Sequence, residues 1–239
     1  MPRIFLALLL LASALNAAAN TAVEPVRKDE RWEKRHDGFV AEARAGGIDV
    51  VFLGDSITDG WRKEGRVIWD AHLAPLRAAN FGIDGDRTQH VLWRLEHGTL
   101  AGLSPKVVVL MIGTNNTSLE RGSDRLRNTP DEALAGVTRI VATLRSQVPQ
   151  ARILLLAIFP RDEPGTAQRA RVEEVNRGLA RLHDGQHVHF LDLGPNFLGR
   201  DGALSPAIMP DKLHLTEAGY SIWAAAIRQP LADLLAAGR

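Results

Sequence analysis

Four short stretches of this 239-residue chain carry residue types that do chemistry. Gly54-Asp55-Ser56-Ile57-Thr58 follows an apolar run. A serine on a tight strand-to-helix turn presents its hydroxyl above a sheet, with its own N–H at a helix N-terminus that favours negative charge. Taken alone, Asp-Ser in that place reads equally as a helix cap. Asp211-Lys212-Leu213-His214 sets a carboxylate three residues before an imidazole. At that spacing the acid can hold the ring tautomer and leave the other nitrogen free as a base. A surface salt bridge or a metal pair would use the same residues, although a metal needs a third ligand and none stands at an obvious spacing. Gly113-Thr114-Asn115-Asn116 offers a neutral amide donor suited to a developing oxyanion, or a plain Asn turn. Asn80-Phe81-Gly82-Ile83-Asp84-Gly85-Asp86 puts Gly82 where a ligand can come close to backbone, or again only makes a turn. No phosphate-cradling glycine motif opens either loop.

These pieces need a frame, and the hydrophobic pattern supplies one. Asp49–Leu53, Ala78–Phe81, Lys106–Ile112, Arg152–Ile158 and Val188–Leu193 are short, nearly all-apolar runs, as expected of strands covered on both faces. Helical spacing lies between them: after Asp29 to about Ala45, about Arg87–His97, from Thr129-Pro130 to just before Pro149, Gln168–Leu182 and Thr216–Leu235, the last interrupted by Pro230. Alternating strands and helices predict right-handed crossovers and an α/β three-layer sandwich around a five-stranded parallel sheet. Such sheets bind ligands at the carboxyl ends of their strands, where all the stretches above begin. His187 and His189 form the one other local histidine pair and read as a strand end.

Composition narrows the function. Lys+Arg 29 against Asp+Glu 28 gives no basic stripe for nucleic acid. Cys is absent, which excludes a disulfide framework, a thiol nucleophile and a thiolate metal site. Arg3, the apolar run Ile4–Leu11 and Ala17-Ala18-Ala19 read as a signal peptide over residues 1–19, cut before Asn20. The run is too short for a stable membrane anchor. The expectation is an exported protein, periplasmic or secreted, with a polar lead-in at 20–30 and one domain at 31–239.

In their conjunction the four stretches resemble the SGNH, or GDSL, hydrolases. Asn80–Glu96 and Val50–Ser56 are especially similar to the catalytic-subunit branch related to brain-type platelet-activating-factor acetylhydrolase. The resemblance runs from about Arg31 to Leu235. It implies a flavodoxin-like sheet, Ser56 as nucleophile, His214 as base and Asp211 as its orienting acid. It implies an oxyanion hole of the Ser56 N–H, the Gly82 N–H and the Asn115 side chain, with no metal and no organic cofactor. It also implies a serine esterase releasing short acyl groups such as acetyl from a small-molecule or glycan ester. Lysophospholipase or thioesterase activity, and a non-catalytic glycan-binding protein, are the alternatives. The sequence departs from that branch at Asp84, where glycine is common. It departs again in a longer Thr117–Thr129 segment carrying Arg121, Arg125 and Arg127, which either overhangs the pocket or is a solvated loop. Ile57 and Leu213, flanking the presumed nucleophile and base, are expected to wall a small acyl pocket.

Overall fold

A computed structural model describes residues 19–237. Its centre is a five-stranded sheet: β1 Val50–Gly54, β2 Ala78–Gly82, β3 Val107–Met111, β4 Arg152–Leu156 and β5 Val188–Leu191. All neighbouring strands run parallel, in the order β2-β1-β3-β4-β5. Successive side chains of a strand point to opposite faces, so the apolar runs feed two cores. Val51, Leu53, Val108, Leu110, Ile153 and Leu155 face one way. They pack under α1 (Glu30–Ala45), α4 (Thr88–Glu96), α5 (Pro130–Gln147) and α6 (Ala167–Leu179). Val50, Phe52, Val109, Met111 and Leu154 face the other way, against Trp61 and against Tyr220, Trp223 and Ile227 of α7 (Glu217–Ala237). The result is the expected three-layer α/β sandwich with flavodoxin-like strand order. Its switch point, where the chain first moves to the opposite side of β1, lies between β1 and β3.

The helix boundaries follow local chemistry. Asp29 caps α1 by accepting from the Trp32 N–H at 2.9 Å. Thr129 and Glu132 close a reciprocal capping box at the start of α5, with Pro130 in its first turn. α7 continues through Pro230. Two helices are too short to show a period in the sequence: α2 (Ser56–Asp59), whose start the Gly54–Thr58 stretch implies, and α3 (Arg66–His72). The lead-in at 20–30 is also more than a polar tether. Ala22 is fully buried, and its carbonyl accepts from the Thr88 hydroxyl at 2.7 Å. Asn128 donates to the Thr21 hydroxyl at 3.0 Å. The segment is therefore packed onto the domain that was expected to begin at residue 31. The leader expected at 1–19 lies outside the described residues except for Ala19. Among the described residues, no helix is long and apolar enough to cross a membrane.

Candidate active site

β1 ends in a turn with no room for side chains. A Cβ on Gly54 would stand 2.2 Å from the Thr58 hydroxyl and 2.5 Å from the Met111 carbonyl. Asp55 follows, 1% exposed, and caps α2 by accepting from the Ile57 N–H at 3.0 Å. Ser56 is therefore the first residue of a one-turn helix, its N–H directed out of the helix end. Three contacts lock that turn. Tyr220 Oη donates to the Ile57 carbonyl at 2.7 Å, Asn80 Nδ2 donates to the Thr58 carbonyl at 2.9 Å, and the Asp59 N–H donates to the Asp55 carbonyl at 2.8 Å.

The Asp211–His214 turn reaches the same point from 158 residues away. His214 Nε2 lies 3.0 Å from Ser56 Oγ, and His214 Nδ1 lies 2.6 Å from Asp211 Oδ2. The second Asp211 oxygen accepts from the Leu213 and His214 N–H groups at 3.0 and 2.7 Å. Partial burial pushes the Asp211 carboxyl up. The His214 N–H, the imidazole and the Leu213 N–H together outweigh it and hold the carboxyl below its ordinary value. The carboxylate thus orients a ring whose other nitrogen faces the serine, an arrangement able to pass a proton from hydroxyl to imidazole.

The loop after β2 corrects one expectation. The Gly82 N–H, counted as an oxyanion donor, is buried and already donates to Asn80 Oδ1 at 2.9 Å. Gly82 serves contact instead: a Cβ there would stand 2.3 Å from the Asp59 nitrogen. Gly85 stands at the third position of a turn closed by the Asp86 N–H donating to the Ile83 carbonyl at 3.2 Å. Its φ of +70° explains why glycine stands there. Asn115 Nδ2 donates to the Asp86 carbonyl at 2.9 Å, which seats the amide against this loop with a second N–H to offer. Behind the loop, Asp86 is fully buried. It accepts from Trp32 Nε1 at 2.7 Å and pairs with Arg94 at 2.9 Å. Arg94 in turn donates to the Phe81 and Gly54 carbonyls, tying the ends of β2 and β1 together. An arginine among Val91, Leu92 and Leu95 on one helix was the sequence signal for this buried pair.

The remaining expectations divide. Asn116, fully buried, donates to Thr88, Gln89 and Asn128 and is a structural hub, which leaves Asn115 to face the site. Ile57 is 1% exposed and packs into the core under Tyr220, so its side chain cannot wall an acyl pocket. A one-turn helix that presents Ser56 outward turns the next residue inward. Leu213 is half-buried against the same core. In the Thr117–Thr129 segment Arg121 and Arg125 are solvated. Arg127 is half-buried and donates to the Asn115 carbonyl at 3.3 Å.

Residues 52–222 match the family described as GDSL-like lipase/acylhydrolase. Platelet-activating factor acetylhydrolase IB subunit alpha1 from Homo sapiens is 38% identical over 221 residues, covering 92% of this chain and 91% of that protein. The alpha2 subunit from Rattus norvegicus is 38% identical over 220 residues, covering 92% and 90%. Among solved structures, a GDSL-like lipase from Bacteroides thetaiotaomicron superposes with a TM-score of 0.66 at 20% identity, covering 83% of this chain and 97% of that one. An acetylxylan esterase from Geobacillus stearothermophilus superposes with a TM-score of 0.61 at 24% identity, covering 79% and 94%.

Proposed function

The chain belongs to the GDSL-like lipase/acylhydrolase family and is a carboxylic ester hydrolase, and from that premise we propose that Ser56 is its nucleophile, acting on short acyl esters of carbohydrates or other small alcohols. The observation that carries the assignment is the unbroken line from Asp211 through His214 to the Ser56 hydroxyl, at 2.6 and 3.0 Å. Ser56 Oγ attacks the ester carbonyl while His214 Nε2 takes its proton, and Asp211 stabilises the imidazolium. The carbonyl oxygen becomes an oxyanion held by the Ser56 N–H and the free Asn115 amide hydrogen. The tetrahedral centre collapses, the C–O bond to the alcohol breaks, and His214 returns the proton to the departing alkoxide. Water, deprotonated by His214, then releases the acid from acyl-Ser56.

Acetyl is the favoured acyl group. The sequence relatives are acetylhydrolase subunits by name, and an acetylxylan esterase shares the fold. A panel of acetyl, butyryl and octanoyl esters, with acetylated sugars and acetylated phospholipid beside them, tests this. Acetyl esters of sugars should give the highest kcat/KM; octanoyl esters turned over best would support the lysophospholipase or thioesterase alternative instead. Failure of Ser56 to label with a fluorophosphonate would favour a glycan-binding protein without turnover. We also place the protein outside the cytoplasm, on the leader-like residues 1–19. N-terminal sequencing of the exported protein should begin at Asn20, and a soluble product starting at Met1 would refute it.

A further inference from the structure

A concavity of about 650 Å³, the size of a small-ligand site, opens beside the end of α2 and the turn after β2. α1 lines one wall and the chain around α2 the other. Its charge is one-sided. Lys28, Arg31, Lys34, Arg35, Arg62 and Lys63 line it. Three carboxylates accompany them. Asp29 is engaged as the cap of α1, and Asp84 is exposed on the rim. Asp59, 7% exposed, takes three cations at once: Arg35 at 2.6 Å, Arg62 at 3.1 Å and Lys63 at 3.4 Å. One carboxylate cannot neutralise three cations, and among the described residues neither Arg31 nor Lys34 has a carboxylate within ion-pair distance. Burial, and then Arg35 beside it, lower the Arg62 guanidinium to about 10 despite Asp59 and Glu42 nearby. The wall therefore carries uncompensated positive charge in a partly desolvated setting, where an arriving anion gains more than it would on an open surface.

The cleft also shares its structure with the reacting centre. Asp59 closes the one-turn helix that Ser56 opens, about 4.5 Å further along the axis. Ile83 and Asp84 line the cleft, and the same turn carries the Asp86 carbonyl to which Asn115 donates. We propose that the cleft is a subsite for an anionic group, a carboxylate or a phosphate, carried by the alcohol half of the ester. The proposal rests on the esterase reading and narrows its substrate to acyl esters of acidic rather than neutral alcohols. A concave wall suits one charged group on a small or oligomeric alcohol. A flat lipid surface would want exposed apolar flanks, whereas Trp32 and Ile83 here are 4% and 7% exposed.

The test compares three acetylated disaccharides: one neutral, one with a uronic acid and one with a sugar phosphate. Hydrolysis by wild type and by the triple variant Arg31→Gln/Lys34→Gln/Lys63→Gln, all three exposed positions, is measured at low and high salt. At low salt, wild type should favour at least one acidic ester by about tenfold in kcat/KM, expressed in KM, and the triple variant and high salt should each erase the preference. Whichever acidic ester is preferred identifies carboxylate or phosphate. Equal kcat/KM for neutral and acidic esters overturns the proposal, as does a preference that survives in the triple variant. Calorimetry of the deacetylated acidic disaccharides with Ser56→Ala separates the two readings. Binding lost in the triple variant, with no ester turned over by wild type, keeps an anion site and removes the esterase assignment. Turnover without charge preference removes only the subsite. Charge-dependent binding to phosphatidylglycerol vesicles, without discrimination among the disaccharides, would replace it with a membrane contact.

Discussion

The Asp162 N–H donates to the Lys212 carbonyl at 3.0 Å, and both residues stand in the left-handed region, with φ of 57° and 60°. Two strained non-glycine positions thus meet where the loop after β4 touches the Asp211–His214 turn. Such conformations persist only where surrounding structure over-determines them. Arg169, 5% exposed, supplies much of that restraint by donating to the Arg161, Asp162 and Gly202 carbonyls at 2.8, 2.6 and 3.2 Å. Arg169→Met should destabilise the fold by about 2–4 kcal/mol, because it leaves three carbonyls without their donor. It should also lower kcat well below the melting temperature, since the turn that places His214 loses its brace. Urea denaturation beside steady-state kinetics checks both, and unchanged kcat in a destabilised variant would confine Arg169 to folding.

Ser56→Ala and His214→Ala should each reduce turnover by roughly 10⁴-fold or more, and the double variant should be little worse than either. The two groups act on one proton, so their losses cannot add. Additive losses in kcat would refute the assigned roles.

Asn115 and Gly82 should separate cleanly. Asn115→Ala should lower kcat by about 10²–10³ with little change in KM or melting temperature. Gly82→Ala should instead unfold or strongly destabilise the protein, because its Cβ would meet the backbone of α2 at 2.3 Å. Circular dichroism melts and kinetics on both variants distinguish a transition-state donor from a packing contact.

Asp55 makes the stability curve depend on pH. Burial raises its carboxyl from 3.8 to about 7, against the pull of the Ile57 N–H. Between those values the native state holds a proton that the unfolded chain has released. Stability from this group is therefore full below pH 4, falls as pH rises towards 7 and levels above it. Asp55→Asn should remove a loss of about 4 kcal/mol between pH 4 and 8. Denaturation at pH 4, 6 and 8 measures it. A wild-type curve parallel to the variant's would show that Asp55 ionises freely.

Much of this was legible because strands buried on both faces leave long apolar runs, and because functional loops begin where those runs stop. Ser56, Asn115, Asp211 and His214 each follow or precede such a boundary, and they meet in the structure. What the residue types alone leave open depends on which polar partner is nearer in space. Gly82 reads as a bare backbone donor, and only the Asn80 amide, folded back onto its own strand, spends its N–H. Ile57 is adjacent to Ser56 in sequence, yet one helical step turns it into the core. The 20–30 segment reads as polar because a single small residue, Ala22, makes the buried contact.

The 158-position separation of Ser56 from its imidazole also orders the life of the chain on the ribosome. Synthesis proceeds from the N-terminus, and early elements can pair before later ones exist. A nascent chain extended only through β5 carries the serine, but it has no base to activate it and lacks α7, whose Tyr220 steadies the serine's turn. Reactivity is switched on by the last segment to emerge. Products of premature termination should then be inert towards esters rather than poorly regulated hydrolases.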